Sequence, residues 1–321
     1  MFDLRNNELP PSEAESITLE DYNKCDPRWC DGCGDFAILT AVQRVCRDEQ
    51  LPLEKTMFVS GIGCSSRFPH YMNTYGFHSL HGRALPIAQG IKLRRPDLKV
   101  FVNTGDGDCC SIGTAHWIHA IRNNMDMTVL LHDNEIYGLT KKQMSPTTPA
   151  GVVSNTSPTG SYLEPLNPLT VTLGIANVSF VAQAADWMPG HLYDVLYEAY
   201  RHKGLSFVRI LQRCPQYVPN LFDPWITDPD KILILEHENG VRIDAGLAGT
   251  YKNRTEHDPI DMNRARELAS SQDPMPVGIL YRNEEVPCYE DIRQPEKVFT
   301  PVEIEEAFEK EMDQFSVKID D

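Results

Sequence analysis

Apolar positions recur along this chain in two alternating rhythms. Over 35–49, Ile38, Leu39, Val42, Val45 and Cys46 return at helical spacing and make one buried stripe. Short unbroken apolar runs at 57–60, 100–103, 127–131, 178–182 and 207–211 have the length of strands, and the first two stop at Gly61 and Gly105. Between them, 84–94 suits a helix, Ser111 is placed to cap a helix running to Asn123, and 191–202 is amphipathic. Strands alternating with helices predict parallel pairing, hence an α/β fold with a doubly wound, mostly parallel sheet.

Two stretches break the rhythm. Residues 140–168 are rich in Pro, Thr, Ser and Gly and predict a long loop, of the kind that in compact domains is functional or interfacial. After about Pro224 the chain becomes more charged and its periodicity weakens. This predicts one main domain over 1–225 and a C-terminal extension over 226–321, packed on the core or on a partner subunit. Its last helix puts Ile304, Phe308, Met312 and Phe315 on one face amid Glu303, Glu305, Glu306, Glu309 and Glu311. That face suits either docking on the core or contact with another subunit. Residues 1–24 read as a polar arm, and no internal repeat is visible.

Composition narrows the partners. The formal charge of −16 repels a nucleic-acid backbone or an anionic membrane, so neither is expected. No apolar run is long enough to cross a bilayer, and MFDLRNNELPPSEAES has neither the basic start nor the apolar stretch of a secretory signal. A cytoplasmic location is expected. In that setting the nine cysteines do not suggest a disulfide framework.

Candidate chemistry gathers at the strand ends. Gly105-Asp106-Gly107-Asp108 follows one strand and Asn134 follows the next. Adjacent parallel strands end on the same edge of the sheet, so Asp106 and Asn134 are expected to be neighbours. A carboxylate and an amide oxygen are hard donors for Mg²⁺ or Ca²⁺, with diphosphate oxygens and water completing the shell. The glycines let backbone approach a diphosphate closely. Alone, Gly-Asp-Gly is usually just a turn.

Cys30 and Cys33 form a C-x-x-C, a spacing that serves zinc, an iron–sulfur cluster or thiol redox chemistry. Zinc would want a second close pair, which the sequence lacks, and no strand candidate precedes Trp29 as a thioredoxin-like motif requires. Cys64 ends the turn after one strand, and Cys214 follows the last strand candidate before Pro215. Four thiolates so placed would suit a 4Fe-4S cluster. Cys109 and Cys110 are adjacent, a spacing that rarely forms a relaxed disulfide.

The strings WCDGCG, GIGCSSRFPHYMNTYGFHSLHGRA, GDGDCCSIG, HDNEIYGLTKKQMSPTT and the late Cys-Pro resemble the β subunits of 2-oxoacid:ferredoxin oxidoreductases, most of all the 2-oxoglutarate-using branch. The resemblance is dense over 26–149, thinner to Pro215 and slight beyond. It implies a sheet of the thiamine-diphosphate-binding type. It also implies a cofactor-binding set of Cys64, Ser65, His81, Gly105, Asp106, Gly107, Asp108, Asn134, Ile136, Gly138, Leu139 and Thr140. Within that set Asp106, the Asn134 side chain and the Ile136 carbonyl would hold Mg²⁺. Cys30, Cys33, Cys64 and Cys214 would hold the 4Fe-4S cluster, leaving Cys25, Cys46, Cys109, Cys110 and Cys288 to structural roles.

His81 and Arg67 are implied as catalytic residues, His81 beside the cofactor and Arg67 by pairing with the distal carboxylate of a dicarboxylic 2-oxoacid. His78 is read as structural. The activity implied is CoA-dependent oxidative decarboxylation of 2-oxoglutarate, with electrons passing to ferredoxin, reversible as carboxylation. The same chemistry on pyruvate or another 2-oxoacid is the runner-up. An iron–sulfur relay without thiamine and a thiamine-dependent lyase without redox chemistry fit less well, since each leaves one constellation unused. Only one diphosphate motif is present, so the resemblance assigns the rest of the thiamine site to an α subunit.

Overall fold

The computed structural model describes residues 16–238, 240–241, 243–293 and 300–315, so most of the expected polar arm lies outside the described residues. Among these residues, nine strands form one sheet: β1 (Thr56–Ser60), β2 (Tyr75–His78), β3 (Lys99–Gly105), β4 (Met127–Asp133), β5 (Phe180–Ala185), β6 (Leu205–Leu211), β7 (Ile232–Glu236), β8 (Arg254–Glu256) and β9 (Met275–Arg282). Their order is β2-β1-β3-β4-β6-β5-β9-β7-β8. Every neighbouring pair is parallel except β5 with β9. The doubly wound, mostly parallel sheet is as expected.

Successive strand residues face opposite sides of a sheet, and a parallel sheet buries both sides. Phe58, Phe101, Leu130 and Val208 face one layer, covered by Ile38, Leu39 and Val42 of helix Asp35–Asp48 and by Leu192 and Val195 of helix Pro189–Arg201. Val59, Val102, Val129, Leu131 and Phe207 face the other, under helices Ala84–Arg94, Thr114–Asn123 and Pro168–Leu173. Two-sided burial is why these strands read as unbroken apolar runs. Each side chain so buried contributes ~1.5–3 kcal/mol.

Three features differ from expectation. Strand β2 was not anticipated: it pairs with β1 at the sheet edge, and all four of its residues are exposed. Backbone hydrogen bonds hold it, so it needs no apolar pattern. Second, 226–321 does more than wrap the core, because β9 is inserted beside β5 and carries β7 and β8. The buried run of β9 is apolar on both faces and therefore lacks the alternation that would have marked it. Third, Ser111 caps no helix. Residues Asp108–Ile112 form a wide turn, and the helix starts at Thr114.

Helix Pro301–Asp313 begins with a capping box between Thr300 and Glu303. Its face of Ile304, Phe308, Met312 and Phe315 is exposed, so among the described residues it is not docked on this chain. Among the described residues, no helix is long and apolar enough to cross a membrane.

Candidate active site

The C-terminal ends of β1, β3, β4 and β6 lie side by side, and the loops leaving them enclose a cleft of about 480 Å³ counted to its open mouth. All twelve residues of the expected cofactor-binding set line it. Asp106 and Asn134 face it from neighbouring strands, as the parallel pairing of β3 with β4 requires. Gly107 is tightly constrained: a Cβ there would stand 2.2 Å from the Tyr137 ring, whose hydroxyl donates to Gly107 O at 2.9 Å.

Asp108 is a strut. Its Oδ1 accepts from Gly82 N at 2.6 Å and Ile62 N at 3.1 Å, and its Oδ2 accepts from the Thr104 hydroxyl at 2.7 Å. His81 Nδ1 stands 2.8 Å from the same Oδ1, which anchors the imidazole at the mouth of the cleft. Two loops and the end of β3 are thus tied to one buried carboxylate.

Acidic groups dominate the floor. Asp106 and Asp133 both lie 2.8 Å from the single hydroxyl of Thr147, which the long 140–168 loop delivers into the site. One hydroxyl has one proton, so both contacts are hydrogen bonds only if one of the carboxyls also carries a proton. Asp133 is paired with Arg209 at 2.7 Å. Burial, and then the charge of Asp133, raise the Asp106 carboxyl to about 7, so the extra proton belongs on Asp106. Glu135 is also raised, to about 8, mainly by burial. It adopts the left-handed conformation at φ +58°, a costly one for a residue with a Cβ, where the chain turns after β4. Arg209 is the cation paired with this group, contacting Asp133 at 2.7 Å and Glu135 at 3.4 Å.

The four singled-out cysteines collect beside this cleft. Trp29 packs edge-on against Tyr71 and Phe36, and its indole N–H donates to Cys64 O at 2.8 Å, which ties the C-x-x-C loop to the Cys64 turn. Gly34 N donates to Arg213 O at 3.1 Å, and Arg213 is held by Asp186 at 2.7 Å, which brings Cys214 to the same place. From the Cβ position of Gly138, the Cys64 and Cys214 sulfurs would be 3.5 and 3.9 Å away and the Asn134 amide nitrogen 4.0 Å. Burial pushes the Cys64 thiol up to about 12 and raises Cys33 and Cys214 as well. Cys46, Cys109, Cys110 and Cys288 are buried away from this cluster, and Cys25 is exposed.

Arg67 is not brought to the cleft. It is half-buried, donates to Arg28 O at 2.8 Å and stacks over Tyr71 at 5.8 Å. His78 bridges Ser60 at 3.0 Å and Ser66 O at 2.9 Å, in keeping with a structural role. Five lining residues escaped the sequence reading: Ile62, Gly63, His132, Tyr137 and Gln212. Ile62, Gly63 and Tyr137 sit inside motifs that were recognised, so neighbourhood was an available signal. His132 likewise opens the recognised string HDNEIYGLTKKQMSPTT, whereas Gln212 lies just past β6 and has no local pattern. His132 is held by Asp35 at 2.7 Å and by Asn103 at 3.1 Å.

The cleft thus lies at the carboxyl edge of a parallel sheet, with an acidic residue and an amide on adjacent strand ends. Residues 61–210 match the family described as thiamine pyrophosphate enzyme, C-terminal TPP binding domain. Residues 248–298 match the family that describes the C-terminal part of the pyruvate ferredoxin oxidoreductase beta subunit.

Among curated proteins, the chain is 46% identical over 247 residues to 2-oxoglutarate oxidoreductase subunit KorB of Mycobacterium tuberculosis, covering 77% of this chain and 66% of that protein. The match thus spans just under two thirds of the mycobacterial protein's own length. The chain is 37% identical over 268 residues to 2-oxoacid:ferredoxin oxidoreductase subunit beta of Saccharolobus solfataricus, covering 82% of this chain and 84% of that one. A solved 2-oxoglutarate:ferredoxin oxidoreductase from Magnetococcus marinus, with 2-oxoglutarate, coenzyme A and succinyl-CoA bound, superposes with a TM-score of 0.75 at 32% identity, over 94% of this chain and 92% of that chain. The chain belongs to the β subunits of the 2-oxoacid:ferredoxin oxidoreductases.

Proposed function

We propose that this chain is the β subunit of a 2-oxoglutarate:ferredoxin oxidoreductase, carrying out CoA-dependent oxidative decarboxylation of 2-oxoglutarate to succinyl-CoA and CO₂. The supporting observation is the contact at Gly138, where the carboxylate-and-amide side of the cleft and the thiols of Cys64 and Cys214 meet.

The residues fit the implied groups. A buried acidic cluster with Arg209 as its paired cation suits a divalent cation, and Asp106, Asn134 Oδ1 and the Ile136 carbonyl would hold Mg²⁺ beside the diphosphate of thiamine diphosphate. Among the described residues no three His, Cys, Asp or Glu side chains surround a point for one metal ion. A Mg²⁺ shell here would therefore need diphosphate and water to complete it. A 4Fe-4S cluster on Cys30, Cys33, Cys64 and Cys214 is proposed from the electrostatic proximity of these four thiols to one another. When bound, thiamine diphosphate supplies carbanion stabilisation and the cluster a one-electron acceptor. This chain's residues orient and exclude: Asp108 holds His81 at the cleft mouth, Trp29 locks the Cys64 turn, and Tyr137 closes over Gly107.

Exposed apolar side chains lie at and beside the cleft: Leu139, which lines it, at 49%, Leu80, next to His81, at 75%, and Ile112, against Gly82, at 53%. Such apolar surface beside a polar cleft suits coverage by a protein partner, here the α subunit that completes the site. Ferredoxin is the proposed electron carrier and coenzyme A the acyl acceptor.

A second reading, pyruvate as substrate, is favoured by the C-terminal family match and by Arg67 lying outside the cleft. Anaerobic CoA-dependent reduction of ferredoxin by the complex with its α subunit, run across a panel of 2-oxoacids, decides between them. 2-Oxoglutarate is expected to give the highest kcat/KM. Turnover of pyruvate alone would select the second reading, and no turnover of any 2-oxoacid would overturn both.

A further inference from the structure

We propose that Gln212 joins the cation side of the cleft to the thiol side: its amide oxygen fixes which atom of Asn134 faces the cation, and its amide N–H donates to the sulfur of Cys33. The inference rests on the proposed function and adds a positioning residue to it.

Gln212 lies one residue past β6, and its backbone N–H donates to Asp133 O at 2.9 Å, which holds it opposite the end of β4. Its side chain is 1% exposed, so each polar atom must find a partner inside the protein. Oε1 accepts from Asn134 Nδ2 at 2.8 Å. Nε2 donates to Arg213 O and lies 3.3 Å from Cys33 Sγ.

Backbone partners that can play only one role set the direction of both amides. Ile136 N–H can only donate, and it reaches Asn134 Oδ1 at 3.2 Å, so the nitrogen of Asn134 must face Gln212. Arg213 O can only accept, so the nitrogen of Gln212 must face Arg213 and Cys33. Rotating either amide by half a turn would set donor against donor or acceptor against acceptor. Gln212 therefore keeps Asn134 Oδ1, the atom assigned to the cation, from exchanging places with Nδ2.

The second half concerns charge. Asp35 Oδ2 stands 3.6 Å from Cys33 Sγ, a like charge once the thiol is a thiolate. Gln212 Nε2 presents a polar hydrogen to the same sulfur. An N–H aimed at a ligating sulfur favours the form of a cluster that carries the extra electron, so it raises the reduction potential. A residue present only to fill space could be replaced by methionine with neither effect.

The test uses the anaerobically purified complex of this chain with its α subunit, as wild type, Gln212→Met and Gln212→Glu. Methionine keeps the volume and removes both amide roles. Glutamate keeps an oxygen for Asn134 and removes the donor to Cys33. Iron content, the cluster potential by EPR-monitored titration, and equilibrium binding of thiamine diphosphate with Mg²⁺ are measured on all three.

Gln212→Met should shift the reduced-to-oxidised ratio about tenfold toward oxidised at fixed ambient potential, about 59 mV for one electron, and should weaken cofactor binding about tenfold. Gln212→Glu should lower the potential at least as far while binding the cofactor within about threefold of wild type. Full iron content with an unmoved potential in both variants would overturn the link to Cys33. Unchanged cofactor affinity in Gln212→Met would overturn the link to Asn134. A wild-type complex that holds no iron would overturn the proposed function, and this inference with it.

Discussion

Asp106→Asn tests the electrostatics of the cleft. The carboxyl is 3% exposed, and its pKa rises from an ordinary 3.8 to about 7, first because it is buried and then because Asp133 is close. In the folded chain it keeps its proton at pH values where the unfolded chain has lost it. Its contribution to stability is therefore complete below pH 3.8 and is lost as pH rises toward 7. At 1.36 kcal/mol per pKa unit the ceiling is about 4 kcal/mol, and relaxation around the ionised form brings the expectation to about 2–4 kcal/mol.

Asparagine has the same shape, carries no charge, and still accepts the Thr147 hydroxyl. Cofactor-free Asp106→Asn should match the wild type in urea unfolding near pH 4 and exceed it by about 2–4 kcal/mol at pH 8. Some pH dependence should survive, because Glu135 is raised by the same burial. The gain in stability should come with a loss of Mg²⁺-dependent thiamine diphosphate binding greater than about tenfold. Equal stabilities at pH 8 would refute the buried-carboxyl argument, and intact cofactor binding would refute the ligand role.

Three further substitutions probe other parts of the molecule. Cys214→Ala should strip or degrade the cluster, seen as lost iron and lost visible absorption, whereas Cys110→Ala, buried elsewhere, should keep both. Full iron content in Cys214→Ala would exclude that residue as a ligand. Arg67→Met should raise KM for 2-oxoglutarate by about ten- to a hundredfold and leave pyruvate nearly unchanged if the guanidinium turns to the substrate in the assembled enzyme. Equal losses on both substrates would leave Arg67 with the Arg28 and Tyr71 contacts it makes here. Phe58→Ala, which removes a ring stacked on Phe101 at 5.0 Å in the core, should cost about 3–5 kcal/mol in urea unfolding without moving the cluster potential.

Most of the cleft was legible in the sequence because its residues sit in contiguous strings at strand ends. Asp106 and Asn134 could be paired on paper, since parallel neighbours end on one edge of a sheet. Gln212 could not, because its role comes from register. Gln212 meets Asn134 only through the pairing of β4 with β6, which no local pattern announces. The same limit hid β2, which buries no side chain, and β9, which buries both faces. Arg67 shows the converse, a residue whose place along the chain and whose contacts in the isolated fold differ. Its distance from Cys64 along the chain placed it near the cofactor, but the helical turn Ser65–Arg67 points it toward Arg28.

The distribution of cost across the molecule is itself an argument for where it works. The two layers beside the sheet are apolar and in ordinary contact, and they ask for no explanation beyond burial. At one edge the chain holds Glu135 in a left-handed conformation, buries Asp133 and Glu135 against Arg209 and Asp106 beside them, and leaves three half-buried thiols protonated. The left-handed residue and the raised carboxyls oppose folding in the cofactor-free chain, while the neutral thiols do not. A divalent cation would offset the charge of the ionised Asp106 carboxyl, so that unfavourable term is one that loading would reverse. Stability should therefore rise steeply on loading with Mg²⁺ and thiamine diphosphate, by more than ligand contacts at an electrically neutral site would give. If the wild type and Asp106→Asn gained the same increment, the stored charge would be no part of the design.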